Sequence, residues 1–112
     1  MCAVTTIKEL CAEASRLHAA GDFMGADFLL HQAYARARGL GSPVLEAKIL
    51  NSMAAFRVEG KRAKTAVPLL AEAREKVDAR IGRNNKLYAI ISSNLIQAQV
   101  AAIMEAAPAA TA

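Results

Sequence analysis

The feature that most restricts this chain is a series of glycine stops, each followed closely by a helix start. Gly21 precedes Asp22, Gly39-Leu40-Gly41 precedes Ser42-Pro43, Gly60 precedes Lys61 to Thr65, and Gly82 precedes Arg83-Asn84-Asn85. Glycine closes helices because it takes the left-handed conformation without a Cβ clash. Asp, Ser and Asn side chains accept the free N–H groups of a new first turn, and proline fits that turn because its N–H is not needed there. These signals predict five helices. The first starts at a capping box, Thr6-Ile7-Lys8-Glu9, and runs to Ala20. The second runs from an Asp22 cap to about Arg38, and the third from Pro43 to Glu59. The fourth starts near Lys64 or Thr65 and ends at Ile81, with Pro68 in or just beyond its first turn. The fifth follows Asn85 and runs to about Glu105.

Composition agrees with this pattern. Of 112 residues 26 are alanine, against three Phe, two Tyr and no Trp, which favours helices packed at close range over strands. No period-two run long enough for a strand is present. The expected class is all-α: about five antiparallel helices in one domain spanning residues 1–105, followed by a disordered Ala/Pro tail, AAPAATA, at 106–112.

The net charge of +4 comes from 14 Lys and Arg against 10 Asp and Glu. Only KRAK at 61–64 is densely basic, in the predicted third corner. A nucleic-acid surface usually adds groove-entering or aromatic elements to its basic face, and none accompanies this cluster. A regulatory or nucleic-acid-associated protein using residues 61–64 is therefore the alternative reading rather than the first. Cys2 and Cys11 are too far apart along one helix to bridge, which points to a reducing compartment. The start MCAVTTIKEL lacks the pattern of a secretory leader, so the expected location is cytoplasmic. Residues 87–104 carry no charge, but two Ser, one Asn and two Gln in that run argue against a membrane crossing.

Sliding the chain by 40 residues aligns Leu10 with Leu50, Ala14 with Ala54, Ala26 with Ala66, Leu29-Leu30 with Leu69-Leu70 and Ala33 with Ala73. Small residues recur where helices must approach closely and leucines recur where a core must be filled. The segment LNSMAAFRVEGKRAKTAVPLLAEAREKV resembles the tetratricopeptide repeat, in the longer form found in kinesin light chain. The matching positions are Asn51, Met53, Ala54, Phe56, Gly60, Lys61, Ala66, Pro68, Leu69, Leu70 and Ala73. An earlier copy matches through Ala14, Leu17, Gly21, Asp22, Phe23, Ala26, Leu30 and Ala33, and Ala89 to Gln99 resembles the first helix of a third. The resemblance covers residues 6 to about 104 as two and a half helix-turn-helix repeats. Glu13 stands where a core leucine is usual, and Arg57 displaces the expected aromatic by one.

Catalytic patterns are missing. His18 and His31 are read as surface or half-buried histidines rather than metal ligands, Cys11 has no redox or protease context, and no phosphate-binding glycine motif occurs. The sequence is read as a non-enzyme with no cofactor and no metal.

The resemblance implies a groove lined by the first helix of each repeat. Carried over by position, its residues are Lys8, Cys11, Ala12, Ser15 and His18, then Lys48, Asn51, Ser52, Ala55 and Glu59, then Ser93, Asn94 and Gln97. Short and amide-bearing side chains there suit hydrogen bonding to the backbone of a peptide or helix of a partner protein. The lysine and asparagine clamp of chaperone-tail receptors is not reproduced, since Cys11 and Ser15 occupy those first-repeat positions. A scaffold or small secretion chaperone is the implied kind of protein, the latter on size and fold alone.

The fifth helix carries two apolar stripes at about 100° per residue. Leu87, Ile91, Leu95, Ala98 and Ala102 form one; Ala89, Ile96, Val100, Ile103 and Met104 form the other, nearly opposite. The first can pack on earlier helices. The second has no later helix in the sequence to cover it, so it is expected to meet a second copy, as a homodimer, or a partner, the alternative being that the helices form a compact bundle rather than a right-handed superhelix and bury both stripes.

Overall fold

The computed structural model describes residues 3–107, and the side chains of residues 6–107. Five helices account for nearly all of them: α1 (Ala3–Ala19), α2 (Phe23–Gly39), α3 (Pro43–Glu59), α4 (Ala63–Ile81) and α5 (Lys86–Ala106). The protein is all-α, with no strand among the described residues.

Three of the four corners are copies of one another, twenty residues apart. Asp22 N–H donates to the Leu17 carbonyl, Ser42 N–H to that of Ala37, and Arg62 N–H to that of Arg57. The residue before each donor is left-handed: Gly21 (φ 89°), Gly41 (φ 65°) and Lys61 (φ 63°). This is the bond pattern by which a left-handed residue satisfies the last carbonyls of a helix. Two of the following helices are then capped by side chains, Asp22 to Gly25 N–H at 2.9 Å and Ser42 to Leu45 N–H at 3.4 Å. The sequence reading placed the third stop at Gly60, but Gly60 keeps a negative φ and Lys61 takes the left-handed role. The fourth corner differs: Gly82 (φ 77°) leads to Asn85, which caps α5 by accepting from Tyr88 N–H at 2.8 Å.

One further expectation about helix starts needs correction. Thr6 is not an N-cap, because α1 already begins at Ala3. Pro68 lies outside the first turn of α4, six residues after the Arg62 N-cap. Its missing N–H leaves the Lys64 carbonyl without that donor, but Lys64 and Pro68 are both exposed, so water can serve. Arg62 makes no side-chain cap. Instead Glu105, from the end of α5, accepts the Ala63 N–H at 3.0 Å, and Thr65 Oγ1 donates to the Arg62 carbonyl at 2.7 Å.

The burial pattern repeats every 40 residues. Ala14 and Ala54, Ala26 and Ala66, Leu30 and Leu70, Ala33 and Ala73, and Ala37 and Val77 are all buried. The alanines let helix backbones approach, and Leu30, Met53, Leu70, Val77 and Ile91 fill the core between them. Polar contacts tie alternate helices together. His18 of α1 stacks on Phe56 of α3 at 4.0 Å, and Asn94 of α5 donates to Asn51 of α3 at 2.9 Å. Tyr34 of α2 donates to Glu72 of α4 at 2.8 Å. Thus α1, α3 and α5 lie side by side in one layer, with α2 and α4 in a second.

Two ion pairs brace the layers. Arg57 of α3 meets Asp27 of α2 at 3.3 Å. Lys76 of α4 meets Glu46 of α3 at 3.0 Å. Glu46 is almost wholly buried, so its carboxylate depends on that partner. Glu13, where the repeat pattern usually has leucine, avoids the core by pairing with Arg16. The tail expected over 106–112 lies mainly outside the described residues, although Ala106 still belongs to α5.

Candidate interaction face on α3 and α5

The residues singled out from the sequence divide into three groups. Lys8, Ala12, Ser15, Lys48, Ala55, Glu59, Ser93 and Gln97 are exposed. Cys11 and Ser52 are half-buried; Ser52 Oγ donates to the Lys48 carbonyl of its own helix at 3.3 Å. Burial pushes the Cys11 thiol up from its ordinary range, which keeps it a packing group rather than a thiolate.

His18, Asn51 and Asn94 are engaged within the protein. The His18 ring is wedged between Phe56 and Phe23, and its Nε2 donates to Glu59 Oε2 at 2.7 Å. Asn51 spends its amide oxygen on Asn94. Asn51, expected in the groove, is therefore a half-buried cross-link between α3 and α5 rather than a free groove residue.

Beside that cross-link lies a pocket of about 210 Å³ lined by Ala54, Ala55, Val58, Glu59, Leu70, Asn94 and Gln97. Its walls come from α3 and α5 and its floor from Leu70 of α4. The helix positions explain the opening: Ala54 and Ala55 are too small to fill the space between α3 and α5, and Val58, one turn on, only partly does so. The lining is apolar apart from one carboxylate and two amides at the rim. Such a volume is below the roughly 300–1,000 Å³ of small-molecule sites and suits one or two inserted side chains. Ala55, Glu59, Asn94 and Gln97 are among the groove positions read from the sequence; Ala54, Val58 and Leu70 are not. Val58 and Leu70 are plain core residues by pattern, and only tertiary packing shows that they face an opening.

The outer stripe of α5 is bare. Ile96 is 62% exposed, Val100 54%, Ile103 70% and Met104 71%, and Ala89 is exposed with them. The inner stripe is covered, with Ile91, Leu95 and Ala98 buried and Leu87 and Ala102 half-buried. By length and composition α5 is also apolar enough to cross a membrane, although its inner stripe packs on the rest of the protein. A second bare patch, Met24 and Phe28 on α2, escaped the sequence reading. Its signal was two large apolar residues four apart, outside the Ala26-Leu30-Ala33 core line.

At the basic corner Lys61, Arg62 and Lys64 are exposed, while Ala63 is buried and Glu105 reaches in from α5. Elsewhere, among the described residues, no three His, Cys, Asp or Glu side chains converge to hold a metal ion. Family models, curated proteins and solved structures offer no match to this chain.

Proposed function

We propose that this protein is a protein-interaction module that holds a peptide segment of a partner across α3 and α5, with one apolar side chain of that segment anchored in the pocket between them. The observation that carries the reading is the pocket itself: an apolar lining of Ala54, Val58 and Leu70 with Asn94 and Gln97 amides at the rim. An apolar anchor in a desolvated pocket supplies affinity, and rim amides can bond a peptide backbone to fix its direction. The 20-residue recurrence of the corners and the 40-residue recurrence of burial support describing the chain as tetratricopeptide-like repeats, in which this face would be the groove. The exposed groove positions of α1, Lys8 and Ser15, would extend the contact.

Selection from a displayed peptide library tests the proposal. Wild-type protein should enrich peptides sharing one large apolar residue. Ala55→Arg, which fills the pocket from an exposed position, should weaken binding of those peptides at least about tenfold while leaving the melting temperature unchanged. Failure to enrich any peptide, or equal binding by Ala55→Arg, would remove the pocket from the account.

A further inference from the structure

We infer that the outer stripe of α5 is a self-association surface, on which a second copy of this chain packs its own α5 antiparallel about a two-fold axis at Ile96. The inference rests on the outer stripe and not on the pocket; of the seam residues only Ser93 is also a groove position.

Three properties of α5 select this occupant and this direction. The first is the graded size of the stripe. Ala89 and Ser93 in its N-terminal half are small, whereas Val100, Ile103 and Met104 in its C-terminal half are large. A parallel pair would set large against large and leave a gap between the small residues. An antiparallel pair sets Ile103 of one copy on Ala89 of the other and Val100 beside Ser93. Ile96, ten residues from Lys86 and ten from Ala106, meets its own copy at the axis. Matching large to small in this way lets helices interdigitate at close range.

The second is charge. The stripe has no charged residue from Leu87 to Met104, so a second copy brings no like charge into the contact. Lys86 stands at the N-terminal end of α5, the positive end of the helix dipole, with no acidic residue in that turn, and the last turn has no basic one. Antiparallel pairing carries Lys86 of each copy to the C-terminal end of the other helix, where a cation is favoured. Glu105 is not displaced by this, because it faces the start of α4.

The third is area. From their fractional exposures, Ile96, Val100, Ile103 and Met104 with the small residues between them offer on the order of 500 Å² per copy, against the roughly 800 Å² per partner of a standard interface. Two copies then bury about 1,000 Å², the lower bound for a specific interface, so a reversible dimer is the expected state. The seam spacing also suits helix pairing, since Ala89, Ser93, Ile96, Val100 and Ile103 follow each other at steps of four, three, four and three.

Sedimentation and cross-linking test both the surface and the direction. In sedimentation velocity, wild type should shift from monomer to dimer as concentration rises. Ile96→Glu and, separately, Ile103→Glu should raise the dissociation constant at least about 100-fold with helicity unchanged, because each substitution acts twice across the two-fold axis. In a Cys2→Ser, Cys11→Ser background, a mixture of Ala89→Cys and Ile103→Cys proteins should form a mixed disulfide dimer on oxidation. A wild type that stays monomeric at all concentrations would overturn the inference and leave the stripe to a different partner. A dimer unaffected by either glutamate would place the interface elsewhere. Self-cross-linking of Ala89→Cys alone, without the mixed product, would show parallel helices and overturn the stated direction.

Discussion

Lys61 provides a measurement of whether the repeated corner is a real constraint on the chain. It occupies the left-handed position that Gly21 and Gly41 hold in the other two corners, at φ 63° against their 89° and 65°. For a residue with a Cβ this conformation costs about 1–2 kcal/mol; for glycine the cost is absent. Glycine gives back part of that gain through greater freedom in the unfolded chain, about 0.4–1 kcal/mol. Lys61→Gly should therefore stabilise the protein by about 0.5–1 kcal/mol, which in a domain of this size raises the melting temperature by about 2–6 °C. Gly41→Ala should do the reverse, losing about 1 kcal/mol. Gly39→Ala serves as the control, since Gly39 is helical with no positive φ and a Cβ there meets nothing within 4 Å. It should be neutral or stabilise by a few tenths of a kcal/mol. Urea and thermal unfolding followed by circular dichroism would read all three. A destabilised Lys61→Gly, or an unaffected Gly41→Ala, would refute the argument that these residues carry the left-handed corner.

Ala66→Leu should destabilise by about 1–3 kcal/mol, because Ala66 is fully buried where helices cross; an unchanged melt would count against that crossing. Asn51→Ala should lose about 1 kcal/mol by breaking the bond to Asn94, whereas Ser15→Ala, at an exposed position, should lose less than about 0.5 kcal/mol; chemical unfolding separates the two. Lys76→Met should cost about 2–4 kcal/mol by leaving the Glu46 carboxylate buried and unpaired, and Glu46→Leu in the same protein should recover most of it. Hydrogen bonding to Glu46 raises the Lys76 pKa above its ordinary 10.5. The pair's contribution is thus complete below pH 10.5 and is lost as pH climbs through the raised value, so Lys76→Met should flatten the alkaline fall in stability seen in wild type.

The all-α class was legible because glycine stops, Asp and Ser caps and alanine-rich segments all point the same way. The 40-residue alignment also located buried positions, as at Ala26 and Ala66 or Leu30 and Leu70. Local signals failed where a distant residue supplied the partner. Nothing near Arg62 announces that Glu105, more than forty residues on, will accept the Ala63 N–H. Lys61 gives no stop signal in the sequence because Gly60 beside it is the commoner choice for a helix stop. Asn51 and Asn94 read as groove residues because an amide suits a solvated face as well as a helix contact. The pocket lining was hidden for a related reason: Val58 and Leu70 have the periodicity of core residues, and an opening between helices leaves no trace in either segment. The stripes of α5 were readable because one helix carries both of them whole.

The most direct test of the interaction account is to map where a selected peptide contacts the protein, using backbone-amide chemical shifts of isotope-labelled wild type. The account predicts that the largest changes fall on Ala54, Ala55 and Val58 of α3 and on Asn94 and Gln97 of α5. Changes centred instead on Met24 and Phe28 of α2, or on the basic corner at residues 61–64, would contradict it.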